Sequence, residues 1–246
     1  MRYFLEVAYK GTKYSGFQSQ KNANTIQAEI QKAFKTILKK QLELTGSSRT
    51  DAGVHAYQNY FHFDIESELS SRLLYNLNAV LPNDIVIKEI RKVKDDGHCR
   101  FDAISREYRY HIYQRKNPFL IDRAFYFPYT LDFELMQRAA FIVKEHSDFT
   151  SFSKRNTQVK TFVCDIKESK WVIQDGRLIY HVKANRFLRG MVRALTATML
   201  KVGRGKLDLA AFKNIIETKD CTLANFAVPA HGLYLSEVCF PDNYFH

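Results

Sequence analysis

Segments of period two alternate along this chain with segments of period 3.6, and that alternation restricts the fold more than any other feature. Tyr3, Leu5, Val7 and Tyr9 share one side of a first extended segment, with Phe4, Glu6 and Ala8 on the other, the spacing of a strand. Ile26, Ile30, Ala33, Phe34, Ile37 and Leu38 then recur at helical spacing, and Asn24 and Gln27 have the separation of a capping box. Tyr57, Phe61 and Phe63 predict a strand, and Leu69, Leu73, Leu77 and Val80 a helix stopped before Pro82. Ile85 to Val93 and Tyr108 to Ile112 read as two more strands. Beyond them lie a helix from Leu131 to about His146, a strand over Phe162, Cys164 and Ile166, and a hairpin. The hairpin joins Trp171–Ile173 to Leu178–Ala184 through Asp175-Gly176, a dipeptide suited to a tight two-residue turn. A helix from Phe187 to Val202 ends at Gly203, another starts at Asp208, and Leu233 to Cys239 closes with a strand. Strands alternating with helices in both halves predict an α+β or α/β sheet with helices packed on it, as two similar halves side by side. The long connection from Gln114 to Pro128 is the best internal boundary region.

The chain has 246 residues, which at about 150 residues per domain allows one large domain or two small ones. Its 46% apolar and 26% charged content excludes collagen-like and low-complexity classes. No apolar run approaches the roughly 18 residues of a membrane span, and the first residues read as a strand and not as a signal segment. Cys99, Cys164, Cys221 and Cys239 are scattered without a CxxC pair, so neither a zinc site nor a disulfide framework is expected. A reduced, cytosolic protein without a bound metal is the expectation.

The net charge of +11 favours a polyanionic partner, nucleic acid or an acidic membrane surface. The surplus is uneven. Residues 1–104 carry 15 basic and 12 acidic side chains, and residues 105–246 carry 22 and 14. Along Asn185–Gly203 read as a helix, Leu188, Val192, Leu195, Met199 and Val202 share one side, and Arg186, Arg189 and Arg193 fall on the other with Gly190. That side is either a solvated charged face or a surface for phosphate; the missing side chain of Gly190 permits close approach to the backbone.

One stretch carries chemistry: Ser47-Ser48-Arg49-Thr50-Asp51-Ala52-Gly53-Val54-His55-Ala56. It lies on a turn between a helix and a strand. Gly53 permits unusual backbone angles there, and small neighbours leave the Asp51 carboxylate open to a ligand. On local grounds alone Asp51 reads as an ordinary turn residue rather than a catalyst. His55 suits a structural hydrogen bond better than acid–base work.

Here the chain resembles the TruA family of tRNA pseudouridine synthases. Arg49-Thr50-Asp51-Ala52-Gly53-Val54-His55-Ala56 is similar to the family's signature. Tyr9 to Gln18 resembles its opening YxGxxYxGWQ pattern, and Asn76 to Pro82 its N-x-LP segment. Phe101-Asp102-Ala103, Arg106 to Tyr110, Asp148 to Phe152, Phe187 to Arg193 and Gly232 to Leu235 resemble further family blocks in order. Departures are Phe17 for the usual Trp, Ser48 for the Gly before Arg-Thr-Asp, Lys160 for Arg, and Arg189-Gly190 for a more aromatic or His-containing pair. None removes a catalytic group.

The resemblance implies an α+β pseudouridine synthase fold, with two ferredoxin-like or RRM-like halves, 1–104 and 105–246, forming one mixed central sheet flanked by helices. It implies a cleft between the halves, with Asp51 from the first and Tyr108, Arg193 and Leu233 from the second. The implied activity is conversion of uridine to pseudouridine in the anticodon stem-loop of tRNA, at positions 38–40, by a homodimer without a cofactor. The reaction breaks the C1′–N1 bond, turns the uracil over and joins C1′ to C5; no electrons are exchanged and no group is imported. By resemblance the carboxylate beside the ribose is Asp51, and two roles are open to it: attack on C1′ or removal of the C2′ proton. Arg193 is implied as its cationic partner and Arg49 as a second positioning group. Tyr108 is implied to stack on the base and help remove the C5 proton, and Leu233 to pack against Tyr108. Arg106, Arg109, Arg186, Arg189 and the Lys154-Arg155 pair are candidates for phosphate contacts, offsetting the cost of flipping the base out of its stack. The same isomerisation on another RNA or other uridines, and a noncatalytic RNA-binding module, are the alternatives.

Overall fold

A computed structural model describes residues 1–154 and 159–245. Residues 1–104 with 234–246 form one unit, and residues 105–233 form a second. The last strand therefore returns to the first unit, whereas the sequence reading placed all of 105–246 in the second half. The Gln114–Pro128 connection lies inside the second unit and is no boundary: the chain there makes a short 3₁₀ turn at Pro118–Leu120 and a two-residue strand. Nine strands and five α-helices among the described residues, with both parallel and antiparallel pairing, make the fold α+β with helices packed on mixed sheet.

In the first unit, β1 (Arg2–Tyr9) runs antiparallel to β3 (His55–Asp64) on one side and to β4 (Ile85–Val93) on the other. The short β2 (Thr45–Gly46) joins β3 antiparallel, and β9 (Leu233–Cys239) joins it parallel at His55 and Ala56. Tyr3 stands opposite Phe63 and Leu5 opposite Phe61. The helices α1 (Ile26–Leu38) and α2 (Leu73–Val80) supply Ile30, Phe34 and Leu77 to the buried core that also takes Leu5, Val7, Phe61 and Ile87. The N-cap of α1 is Thr25, whose hydroxyl accepts from the Ala28 N–H at 3.3 Å, one residue beyond the expected Asn24. Phe4 lies among Phe240, Tyr244 and Phe245, with ring centroids 5.5, 5.6 and 5.9 Å away. The C-terminal aromatics thus bury apolar surface that β1 would otherwise expose to water.

In the second unit, β5 (Ser105–Tyr113) pairs antiparallel with β8 (Arg177–Ala184), which pairs antiparallel with β7 (Ile166–Gln174). The small β6 (Phe125–Tyr126) joins β5 parallel. The β7–β8 turn is the one the dipeptide demanded: Asp175 and Gly176 have φ of 51° and 71°, the left-handed pair of a type I′ turn. The strand expected over Phe162–Ile166 is only a bridge from Val163 to Asp148, with β7 beginning at Ile166.

Three helices complete this unit: α3 (Phe133–Lys144), α4 (Met191–Gly203) and α5 (Leu209–Thr218). Asp132 and Asp208 cap α3 and α5 through their carboxylates, at 2.9 and 2.7 Å. The helix expected from Phe187 starts four residues later. Gly190 takes φ 78° as its N-cap, so Arg186 and Arg189 lie on the preceding loop and not on a helical face. Gly203 is the last helical residue, in close approach to another chain segment: a Cβ there would fall 2.5 Å from Met136 Sδ.

Candidate active site

Asp51 sits on the loop between β2 and β3, half-buried, next but one to the exposed Arg49. The backbone on both sides of Asp51 is held. Ser47 N–H donates to Tyr60 C=O at 2.8 Å, Phe17 N–H to Thr50 C=O at 3.1 Å, and Gly53 N–H to Tyr14 C=O at 3.3 Å. Val54 N–H closes the turn onto Asp51 C=O at 3.2 Å. His55 is buried, and its Nδ1 accepts from Gly11 N–H at 3.0 Å, which leaves the imidazole proton of the neutral ring on Nε2. Phe17 is stacked on Phe61 at 4.3 Å, in space left by the missing side chain of Gly46. The aromatic that replaces the usual Trp is therefore a packing residue beneath the loop. Within this unit the Asp51 carboxylate and the Arg49 guanidinium enter no hydrogen bond or ion pair among the described residues. The loop presents one acid and one base two residues apart on a backbone fixed at several points.

A residue that the motifs did not single out emerges here. Asn59 is fully buried in β3. Its Nδ2 donates to Ser48 C=O at 2.8 Å and to Tyr9 Oη at 3.2 Å, and its Oδ1 accepts from Ser48 N–H at 3.3 Å. Tyr9 Oη in turn lies 2.8 Å from Thr50 Oγ1. The sequence carried a signal: an amide interrupts the run Tyr57, Phe61, Phe63 on one side of a strand, where such a residue is disfavoured.

The remaining candidates belong to the second unit. Tyr108, on β5, meets Phe187 edge-on at 5.1 Å. Arg193, in the first turn of α4, donates from Nε and Nη2 to Val228 C=O at 2.9 and 2.6 Å. Tyr110, next but one to Tyr108, donates to Pro229 C=O at 2.7 Å, and a Cβ on Gly232 would strike its ring at 2.6 Å. Burial raises the Tyr110 phenol, with Arg193 opposing that shift, so the phenol stays a neutral donor. Segment 228–233 is thus gripped by α4 through Arg193 and by β5 through Tyr110, and it ends at the buried Leu233. Arg193 thus holds the start of that segment and Leu233 ends it, whereas the contact made by Tyr108 is with Phe187. Two of the five Arg193 donors are committed to that segment.

Of the phosphate candidates, Arg106 donates to Asn185 C=O at 3.1 Å and Arg109 pairs with Glu107 at 2.8 Å. Arg189 is exposed and Arg186 half-exposed. Lys154 packs beside Gly190, and Arg155 lies outside the described residues. No group of three or more His, Cys, Asp or Glu side chains among the described residues has the arrangement of a metal site.

A family model described as tRNA pseudouridine synthase matches residues 6–102 and 146–241. The chain belongs to that family. Its members are isomerases that convert uridine to pseudouridine, and this chain is an enzyme of that class. It is 43% identical to tRNA pseudouridine synthase A of Porphyromonas gingivalis, the alignment covering 99% of each chain. Against the synthase of the same name from Parabacteroides distasonis the identity is 40%, over 99% of this chain and 98% of the other. Against that from Staphylococcus aureus strain JH1 it is 37%, over 99% and 92%. Both family-matched blocks contain proposed site residues: Arg49 and Asp51 in the first, Arg193 and Leu233 in the second.

Proposed function

We propose that this isomerase acts on tRNA, on uridines of the anticodon stem-loop, with Asp51 as the catalytic carboxylate. The observation that carries the reading is the Asp51 loop: a carboxylate without a partner in its own unit, on a backbone anchored at Ser47, Thr50, Gly53 and Val54. A backbone held in this way limits the rearrangement that a reacting sugar would demand of the acid. Arg49 and Arg193 serve as substrate-binding cations, Tyr108 stacks on the uracil, and Leu233 bounds the pocket. As in the resembling family, the working form is a cytoplasmic homodimer.

The chemistry is balanced without outside reagents. The C1′–N1 bond breaks, C1′ joins C5, the C5 proton leaves and N1 gains a proton. In one route the Asp51 carboxylate attacks C1′ and is later displaced by C5. In the other it removes the C2′ proton, giving a glycal that is reprotonated after the uracil has turned. Deuterium at C2′ of the target uridine slows the second route in its first step and leaves the first nearly unaffected.

The deciding experiment compares the wild type with Asp51→Asn on anticodon-arm transcripts in which single uridines are moved. The expected result is no pseudouridine with Asp51→Asn, tRNA affinity within about threefold of wild type, and modification confined to the anticodon arm. Equal turnover in the two proteins overturns the role of Asp51. Modification of uridines elsewhere with the carboxylate still required overturns the substrate and leaves the chemistry.

A further inference from the structure

Asn59 is an amide, fully buried, on the side of β3 that also carries Tyr57, Phe61 and Phe63. A fully buried amide is unfavourable unless its donors and acceptor are satisfied, and here they are satisfied largely by one target. Nδ2 and Oδ1 grip the backbone of Ser48 on both sides of its Cα, taking its C=O at 2.8 Å and its N–H at 3.3 Å; Tyr60 N–H also donates to Oδ1, at 2.9 Å. The second Nδ2 proton goes to Tyr9 Oη at 3.2 Å, which reaches Thr50 Oγ1 at 2.8 Å. Tyr9, Thr50 and Ser48 are themselves buried. The chain of contacts starts in β3, passes through the end of β1, and terminates on the residue immediately before Asp51.

We propose that Asn59 and Tyr9 are positioning residues for Asp51, fixing the Ser48 backbone and the Thr50 side chain so that the carboxylate is held in one reactive placement. This rests on the reading of Asp51 as the reacting group. An amide carries a donor and an acceptor side by side and so can hold the N–H and the C=O of one residue at once. A phenol can pass that constraint on to a neighbouring hydroxyl. Misplacing a reacting group by about 1 Å costs on the order of a hundredfold in rate, so loosening the loop lowers turnover without removing any group that binds RNA.

The test uses the full chain with a tRNA transcript and four variants: Tyr9→Phe, Thr50→Val, their double, and Thr50→Ser, which keeps the hydroxyl. Tyr9→Phe and Thr50→Val are each expected to lower kcat about tenfold or more, with KM within about twofold and native circular dichroism. The double variant is expected to be no slower than the worse single, because both remove one contact, and Thr50→Ser to retain most of the wild-type kcat. The proposal is overturned if Tyr9→Phe keeps kcat within twofold, if the loss appears in KM, or if the two effects multiply. Asn59→Asp is measured beside them; should it fail to fold, Tyr9→Phe still decides. Asp51→Asn separates the two readings. Activity surviving there removes the role of Asp51, whereas its loss beside a silent Tyr9→Phe removes only the positioning role.

Discussion

Gly11 shows how a single missing side chain shapes the candidate site. A Cβ at that position would lie 1.9 Å from Val54 O, and its N–H is the donor that holds His55 at 3.0 Å. No rotamer can relieve a clash between Cβ and backbone. Gly11→Ala must therefore push the 10–13 segment away from the Asp51 turn and loosen the His55 bond. Overpacking of this kind costs about 1–3 kcal/mol, and thermal or denaturant unfolding of Gly11→Ala is expected to show that loss together with reduced turnover. An unchanged melting temperature would mean the two segments are not in the contact described. Gly176 is a contrasting case. Nothing lies within 4 Å of a Cβ there, but φ is 71°, so Gly176→Ala costs only backbone strain, roughly 1 kcal/mol, and leaves turnover intact.

Among the elements, α4 differs most from its sequence pattern. Its spacing suggested one apolar side and one basic side. In the fold it is buried on nearly every side, including Ala194, Thr196, Ala197 and Thr198 beside the expected Leu195 and Met199. The two threonines are tolerated because each hydroxyl donates to the carbonyl four residues back, Val192 and Ala194, at 2.8 Å. Burial all round makes this helix the centre of the second unit's core, and Arg193 is positioned by its first turn. Leu195→Ala removes a fully buried side chain and is expected to cost about 2–5 kcal/mol, read as a lowered denaturant midpoint with an unchanged m-value. A cost below 1 kcal/mol would show that the helix packs more loosely than its burial indicates.

Across the whole molecule, charge sets two dependences. His62 is buried, with Nδ1 3.2 Å from Cys99 Sγ and its ring 4.5 Å from that of His98. Burial, reinforced by His98 and Arg2, pulls its pKa down to about 4, against about 6.5 in an unfolded chain. Above pH 6.5 neither state carries the proton and the contribution to stability is complete. As pH falls from 6.5 to about 4, the unfolded chain gains a proton that the native state refuses, so stability drops by up to about 1.4 kcal/mol per pH unit. The slope of stability against pH in that window is expected to be about one proton shallower in His62→Gln. Superimposable slopes would overturn the assignment. The second dependence follows from the net charge of +11. Release of counterions from RNA predicts that tRNA affinity falls at least tenfold between about 50 and 200 mM salt. A Kd insensitive to salt would rule out phosphate contacts as the main source of binding.

Much of this protein was legible before any coordinates. Alternation of period two with period 3.6 placed β1, β3, β4, β8, α1 and α3 within a few residues, because burying one face of a strand or helix imposes its own repeat on the side chains. Asp175-Gly176 specified its turn because only residues tolerant of positive φ can make it. The Arg-Thr-Asp loop stood out by its resemblance to a signature. Other features had no local cause. The return of residues 234–246 to the first unit, the start of α4 at Met191 and the burial of α4 all round depend on which surfaces meet, and those surfaces come from residues far apart in the chain. Asn59 is the clearest instance. Its neighbours in sequence mark it only as unsuited to a strand, and its purpose exists only where β1, β3 and the Asp51 loop converge, since an amide's hydrogen bonds are assigned by partners that folding brings to it.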